Sequence, residues 1–337
     1  MTAFRLTRAM PEDATGAALR ADVRHGLTST PKTLPPKWFY DAHGSELFNK
    51  IAALPAYYPF RAERELLRAR AVDIAAATGA RTLVELGSGS SEKTQHLLDA
   101  LTGLHTYVPV DVSESALRQA GQALIAERPG LAVHALIADF TGALALPETP
   151  GPRLVAFLGS TIGNLLPAER ATFLASVRAL LSPGDALLLG MDLVKDPAVL
   201  VAAYADAEVT GEFNRNVLTV INRELGADFD LNVFEHVALW DAEREWIEMR
   251  LRSRTAQTVK IPALDLAVDF AAGEELRTEI SQKFRQTGLV HELGRAGLAL
   301  ERWFCTPAQM VGLALAVPQG RAAVRVPSTG HVTACVR

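Results

Sequence analysis

Between residues 81 and 194 the chain alternates short, almost wholly apolar runs with longer helical stretches. RTLVELG (81–87), HTYVPVDVS (105–113), LAVHALIADF (131–140), RLVAFLGST (153–161) and DALLLGMDLV (185–194) read as strands. SEKTQHLLDAL (91–101), ESALRQAGQALIAER (114–128) and RATFLASVRALL (170–181) read as helices between them. A strand that is apolar on both faces needs cover on both faces. The alternation therefore predicts an α/β fold, a parallel sheet between two layers of helices. Further on, LALERWFCT (298–306) and MVGLALAV (310–317) predict an antiparallel pair closing that sheet.

Residues 195–284 interrupt the series. They hold a helix, FNRNVLTVINREL (213–225), and the strand-like segments FEHVALW (234–240), REWIEMRLRSRTAQTV (244–259) and LRTEISQKF (276–284). The first 60 residues, with Pro31, Pro35, Pro36 and the run WFY, read as lying outside the sheet as well. The expected organisation is an N-terminal part of a substrate lobe (1–61), a core (62–194), an inserted lobe between the fifth and sixth strands (195–284) and a completion of the core (285–317). A loosely packed tail (318–337) follows.

A chain of 337 residues can bury a large core, and its formal net charge of −4 gives no basic field for nucleic acid or an anionic membrane. Its N-terminus shows no signal peptide, and no apolar run reaches the ~18–20 residues that span a bilayer. Two cysteines, Cys305 and Cys335, form no disulfide framework, so a cytoplasmic setting is expected. The eight histidines lack metal-ligand spacing, and no metal is expected.

LVELGSGSSEKT (83–94) holds the first chemical signal. Two glycines follow a strand and precede a helix, so a ligand can approach the backbone closely. A dinucleotide turn wants a third glycine where Glu92 stands, and a phosphate loop wants Gly-Lys-Ser/Thr, whereas Lys93 follows Glu92. The turn thus favours an uncharged or cationic ligand. Ligands of such sheets bind at the carboxyl ends of the strands. Gly87 and Gly89 end the first strand, Asp111 the second, where it can accept from ribose hydroxyls. Asp139 and Phe140 end the third, where a carboxylate can take an adenine amino group and a ring can stack. Any one such Asp is commonly a turn former. Three consecutive units together fit the S-adenosylmethionine pocket of a Rossmann-like methyltransferase. GSTIGN (159–164) stands where methyltransferases of nucleic-acid bases carry Asp/Asn-Pro-Pro-aromatic, which leaves small-molecule or protein amines as targets.

Longer motifs narrow the reading. WFYDAHGSELFNKIAALPAYYPFRAE (38–63), LVELGSGSSEKT, FLGSTIGNL (157–165), FNRNVLTVINRELGADFDL and TEISQKF closely resemble the histidine-specific Nα-methyltransferases of ergothioneine biosynthesis, over roughly residues 10–317. The resemblance implies a class I methyltransferase sheet and trimethylation of the α-amine of L-histidine to hercynine. It implies that Gly87, Lys93, Asp111, Asp139 and Phe140 hold the methyl donor. It places Tyr57, Asn164, Tyr204, Met249, Glu279 and Ser281 around histidine, with Tyr40 near the amine. Asn164 would hold both carboxylate and amine, and Tyr40 would receive or relay a proton. Mono- and dimethylhistidine would be intermediates, and a monomer is expected. Ser90 stands where the family usually has Thr, Phe60 where Thr follows Tyr-Tyr-Pro, and the tail after Val317 has no counterpart.

Each of these positions also has a plainer reading. Asn164 fits an Asx-turn, Lys93 a solvated first helical turn, Tyr57 loop packing, Tyr204 a helix interior and Met249 a strand core. Glu279 and Ser281, two apart on a strand, fit an exposed face. Only the resemblance raises them above those readings. Two other functions stay open: a methyltransferase for another imidazole or amino-acid amine, and a non-catalytic S-adenosylmethionine-binding protein.

Overall fold

The computed structural model describes residues 4–11, 13–89, 91–142 and 144–320. The chain forms two compact units. One takes the segments up to Met10, Arg61–Leu193 and from Phe284 onward; the other takes Pro11–Phe60 and Val194–Lys283. Ser90, the 321–337 part of the expected tail, and Cys335 with it, lie outside the described residues.

The first unit is built on an eight-stranded sheet. Its strands are β1 (Phe4–Arg8), β2 (Thr82–Leu86), β3 (Thr106–Asp111), β4 (Ala132–Ile137), β5 (Arg153–Phe157), β6 (Ala186–Asp192), β12 (Leu298–Cys305) and β13 (Val311–Pro318). The spatial order is β1-β4-β3-β2-β5-β6-β13-β12. Pairing is parallel from β1 through β6, while β13 runs antiparallel to both β6 and β12. Strand order thus reverses at β2, whose successors lie to one side and β5 and β6 to the other. All five residues of β2, all seven of β6 and all eight of β13 are buried, as strands covered on both faces require.

Most of α3 (Tyr58–Thr78), with α4 (Gln95–Ala100), α5 (Glu114–Glu127), α6 (Pro167–Leu180) and α9 (Gln286–Arg295), belongs to this unit. The helix expected from residue 91 begins only at Gln95. One expectation is corrected outright. Residues 1–60 do not all lie outside the sheet, because Phe4–Arg8 pairs with Val133–Ile137 as the edge strand β1. Phe4 and Leu6 on this strand pack against buried Leu117, Ala135 and Ile137, which supplies the apolar reason.

The second unit combines α1 (Ala14–Thr28), α2 (Ala42–Ala53), α7 (Pro197–Tyr204) and α8 (Val209–Leu225) with two small sheets. One has the order β11-β8-β7, from β11 (Glu275–Gln282), β8 (Trp246–Ser253) and β7 (Phe234–Asp241). The other pairs β9 (Gln257–Ile261) with β10 (Leu266–Phe270). The segment 244–259, read as one strand, is therefore two, in different sheets. Helix α8 buries Phe213, Val217, Ile221 and Leu225 at helical spacing and ends at Gly226 with φ 65°, a left-handed position that costs glycine little.

Candidate active site

In the first unit the glycine turn leaves β2 at the point of strand reversal. Gly87 and Gly89 have φ of 68° and 49°, and a Cβ on Gly87 would stand 3.3 Å from the Phe140 ring. Phe140 follows β4 and packs edge-on to Phe157, with ring centroids 5.2 Å apart. A Cβ on Gly89 would meet nothing within 4 Å, so that side of the turn is open. Ser88 Oγ between the glycines is buried and has no hydrogen-bond partner among the described residues. An open backbone turn with an orphaned buried hydroxyl suits a polar ligand lying on the backbone.

Asp111 ends β3, where its Oδ2 accepts the Gly89 N–H at 3.0 Å and its Oδ1 the Ser113 N–H at 2.9 Å. The carboxylate is thereby fixed beside the turn. Asp139 accepts from Thr141 N–H at 2.9 Å and Thr141 Oγ1 at 2.6 Å, both on Oδ1. It is a turn former, and the same turn orients its other oxygen.

Lys93 is not a solvated helix-start lysine. Its ammonium pairs with Glu63, whose side chain is 4% exposed. Glu63 also accepts the Gly159 N–H on both oxygens, at 2.8 and 2.9 Å, and so fastens the loop after β5. Ser160 in that loop has φ 58°, and its Oγ accepts the Asp192 N–H at 2.9 Å. Half-buried Asn164 ends the short 3-10 turn Thr161–Asn164 that follows. Glu85 on β2 is buried and accepts from Thr94 and Tyr107 hydroxyls; burial pushes its carboxyl up to about 7. Sequence reasoning missed the role of Glu63: the residue closes the motif 38–63, but in its helix it stands two residues from Glu65 with nothing to set it apart.

The second unit gathers the other expected positions. Tyr40 lies between two fixed neighbours: the Phe39 carbonyl accepts from Asn216 at 3.0 Å, and Asp41 caps α2 through Gly44 N–H at 2.8 Å. A Cβ on Gly44 would fall 1.7 Å from the Phe39 oxygen, so only glycine lets α2 start there. The Tyr40 ring meets Phe48 and Phe213 edge-on at 5.6 and 5.4 Å. The residue is 44% exposed, yet its phenol pKa is raised, by desolvation first and then by the charges of Glu279 and Tyr204. That raise groups Tyr40, Glu279 and Tyr204. Tyr57 joins them, its ring edge-on to Tyr204 at 5.9 Å.

The strand carrying Glu279 needs a correction to simple alternation. Arg277 pairs with Arg250, but Glu279 pairs with Met249, so Thr278 is bulged out of register. Without the bulge Arg277 and Glu279 would share a face. With it, Arg277 joins the Glu248–Arg250–Glu275 ion pairs, while Glu279 joins buried Met249 on the opposite face. Thr278 Oγ1 holds the bulge through Asn214 Oδ1 at 2.6 Å and the Met249 carbonyl at 3.0 Å. Asn214 in turn bonds His236 Nδ1, and His236 Nε2 bonds the Tyr204 carbonyl, each at 2.8 Å. Burial lowers the His236 pKa, favouring the neutral ring.

Ser281 is buried against Tyr204, its Oγ 2.9 Å from the phenol oxygen. Lys283, 1% exposed, bonds both at 2.7 and 3.0 Å. Sequence reasoning passed over this lysine, although it stands in the TEISQKF motif.

Sheet order, open glycine turn and strand-end carboxylates define a class I, Rossmann-like methyltransferase. The chain belongs to the family of histidine-specific, S-adenosylmethionine-dependent methyltransferases, whose model matches residues 19–318. It is 57% identical over 316 residues to the histidine N-alpha-methyltransferase of Mycolicibacterium smegmatis, covering 93% of this chain and 98% of that one. It is 55% identical to the protein of the same name from Mycobacterium tuberculosis, covering 90% and 96%. Ergothioneine biosynthesis protein 1 of Neurospora crassa is 32% identical over 206 residues, 58% of this chain and 23% of that one. Among the described residues no group of acidic, histidine and cysteine side chains could hold a metal, and no helix is long and apolar enough to cross a membrane.

Proposed function

We propose that this enzyme transfers three methyl groups from S-adenosylmethionine to the α-amine of L-histidine, giving hercynine, as the first step of ergothioneine biosynthesis. The observation that carries the reading is identity above half over nearly the whole of two histidine N-alpha-methyltransferases. The name of the Neurospora relative supports the pathway.

Gly87, Ser88, Asp111, Asp139 and Phe140 would hold the donor, with Lys93 acting through Glu63 on the loop that carries Asn164. Bound there, the donor supplies an electrophilic methyl on a sulfonium with a neutral thioether leaving group. The protein's part is alignment, exclusion of water and removal of one proton from the amine before attack. Tyr57, Asn164, Tyr204, Met249, Glu279 and Ser281 would line the histidine. Tyr40, held neutral by its raised pKa, relays a proton without storing it, and its ring faces a growing methylammonium through cation–π attraction. A cytoplasmic monomer that handles mono- and dimethylhistidine, without metal or nucleic acid, completes the reading.

The test is incubation of the purified protein with donor and each of the twenty amino acids, followed by mass spectrometry. Histidine alone should gain three methyl groups, and mono- and dimethylhistidine should be carried to the same product. A preparation that stalls at monomethylhistidine under excess donor removes hercynine as the product.

A further inference from the structure

The geometry points to Lys283 as a positioning residue that turns the Ser281 hydroxyl into a hydrogen-bond donor, so that the site accepts the substrate imidazole only as the neutral ring. The inference rests on the reading that Glu279 and Ser281 face the imidazole of histidine.

The three buried groups form a closed triangle. Lys283 Nζ lies 2.7 Å from Ser281 Oγ and 3.0 Å from Tyr204 OH, and the two oxygens are 2.9 Å apart. Nζ also stands 4.7 Å from the centroid of the Tyr204 ring. An ammonium has donors and no acceptor, so it takes one lone pair from each hydroxyl. The phenol is the stronger acid of the two hydroxyls and donates along the third side. Ser281 Oγ has then accepted twice and is saturated. What it has left is its own O–H.

Glu279 lies two residues away, and its partner Met249 and the Ser281 partner Ile247 share one face of β8. A carboxylate only accepts, and a saturated hydroxyl only donates. One acceptor and one donor match an imidazole with one N–H and one bare nitrogen. An imidazolium has two N–H groups and would set one of them against the serine O–H. The other groups near the triangle do not supply this selection. Tyr40 and Tyr57 are phenols, and His236 has both ring nitrogens engaged, Nδ1 by Asn214 and Nε2 by the Tyr204 carbonyl, while burial lowers its pKa. Glu245 meets Lys283 through its backbone carbonyl. Glu248, Arg250, Glu275 and Arg277 lie on the opposite face of the sheet.

The experiment measures histidine affinity by calorimetry between pH 5.5 and 7.5, with S-adenosylhomocysteine present. Below the ring pKa of about 6.5 the unmutated enzyme should lose affinity, approaching tenfold per pH unit. With 2-fluoro-L-histidine, whose ring stays neutral throughout, the loss should vanish, which separates titration of the substrate from titration of the protein. Lys283→Met frees a lone pair on Ser281 and should flatten the acid limb, while Lys283→Arg, which keeps donors, should retain it. An unmutated enzyme whose histidine affinity does not change over this range overturns the proposal, as does a Lys283→Met enzyme with uniformly weaker binding and an unchanged acid limb. The fluorinated substrate keeps the test decisive if Lys283→Met does not fold: an acid limb that persists with it also overturns the proposal. Absence of histidine binding at every pH would instead overturn the underlying reading.

Discussion

The two units position their chemistry by different means. In the first, each strand-end carboxylate accepts a backbone N–H two residues on, Asp111 from Ser113 and Asp139 from Thr141, and Asp111 takes a second from the glycine turn at Gly89. In the second, the groups are held across long stretches of chain. Ser281 meets Tyr204 from 77 residues away, and Asn216 reaches the Phe39 carbonyl across 177. A site made from local turns announces itself in a short motif. A site made from distant side chains is visible only once the chain is folded.

The largest expected effect tests how much the first unit depends on its own long-range tie, which runs from Lys93 through Glu63 to Gly159. Removing one partner of a buried ion pair costs about 3–5 kcal/mol. Lys93→Met should therefore lower unfolding free energy in urea by about that amount, and adding Glu63→Gln should recover much of it. A single variant of normal stability, impaired only in donor binding, would make Lys93 a ligand rather than a tie.

Next comes the division of labour. Losing a charge-assisted acceptor costs about 1.5–3 kcal/mol, so Asp111→Ala should weaken S-adenosylhomocysteine binding at least tenfold in calorimetry. Unchanged affinity would mean the donor is bound elsewhere. Glu279→Ala should raise the histidine dissociation constant at least about tenfold, roughly 1.4 kcal/mol, and leave S-adenosylhomocysteine binding intact. Loss of both ligands together in that variant would end the division. Phenylalanine should not be methylated, since a site built for polar ring atoms rejects a ligand lacking them.

The smallest effect is a pH contrast, at most ~1.4 kcal/mol per pH unit for each group. Glu85 has its pKa raised from 4.5 to about 7, so its neutral form favours folding; that stability is full below 4.5 and is lost as pH rises through 7. His236 has its pKa lowered from 6.5, so its contribution is full above 6.5 and is lost as pH falls through the lowered value. Glu85→Gln should gain on the unmutated protein as pH rises from 5 to 8, and His236→Gln should gain as it falls. Parallel curves would show that neither group is linked to folding.

The same contrast explains what was legible in the sequence. Continuous apolar runs in β2, β5 and β6 can only be covered strands, and Gly87 and Gly89 sit where a backbone turn needs them. The edge strand β1 was hidden because FRLTR carries two arginines in five residues and its partner lies 129 residues on, as Phe4 opposite Val133 shows. Glu63 and Lys283 stand inside the motifs that carry the resemblance, but their roles, like the bulge at Thr278, had no local sign. Their meaning lies in which distant group each one meets. Tyr57, Tyr204 and Met249 are assigned to the histidine site through resemblance alone, since by themselves Tyr57 reads as loop packing and the other two as interior residues.

The sheet order carries a consequence for synthesis. β13 is the last of the described strands to leave the ribosome, yet it fills a place between β6 and β12. Until Val311–Pro318 arrives, β6 is an open edge made of seven residues that end up buried, and β12 has nothing to pair with. An exposed apolar edge is a template for another chain. A nascent or truncated polypeptide ending before Val311 is therefore a hazard to its neighbours, whatever ligand-binding residues it already contains.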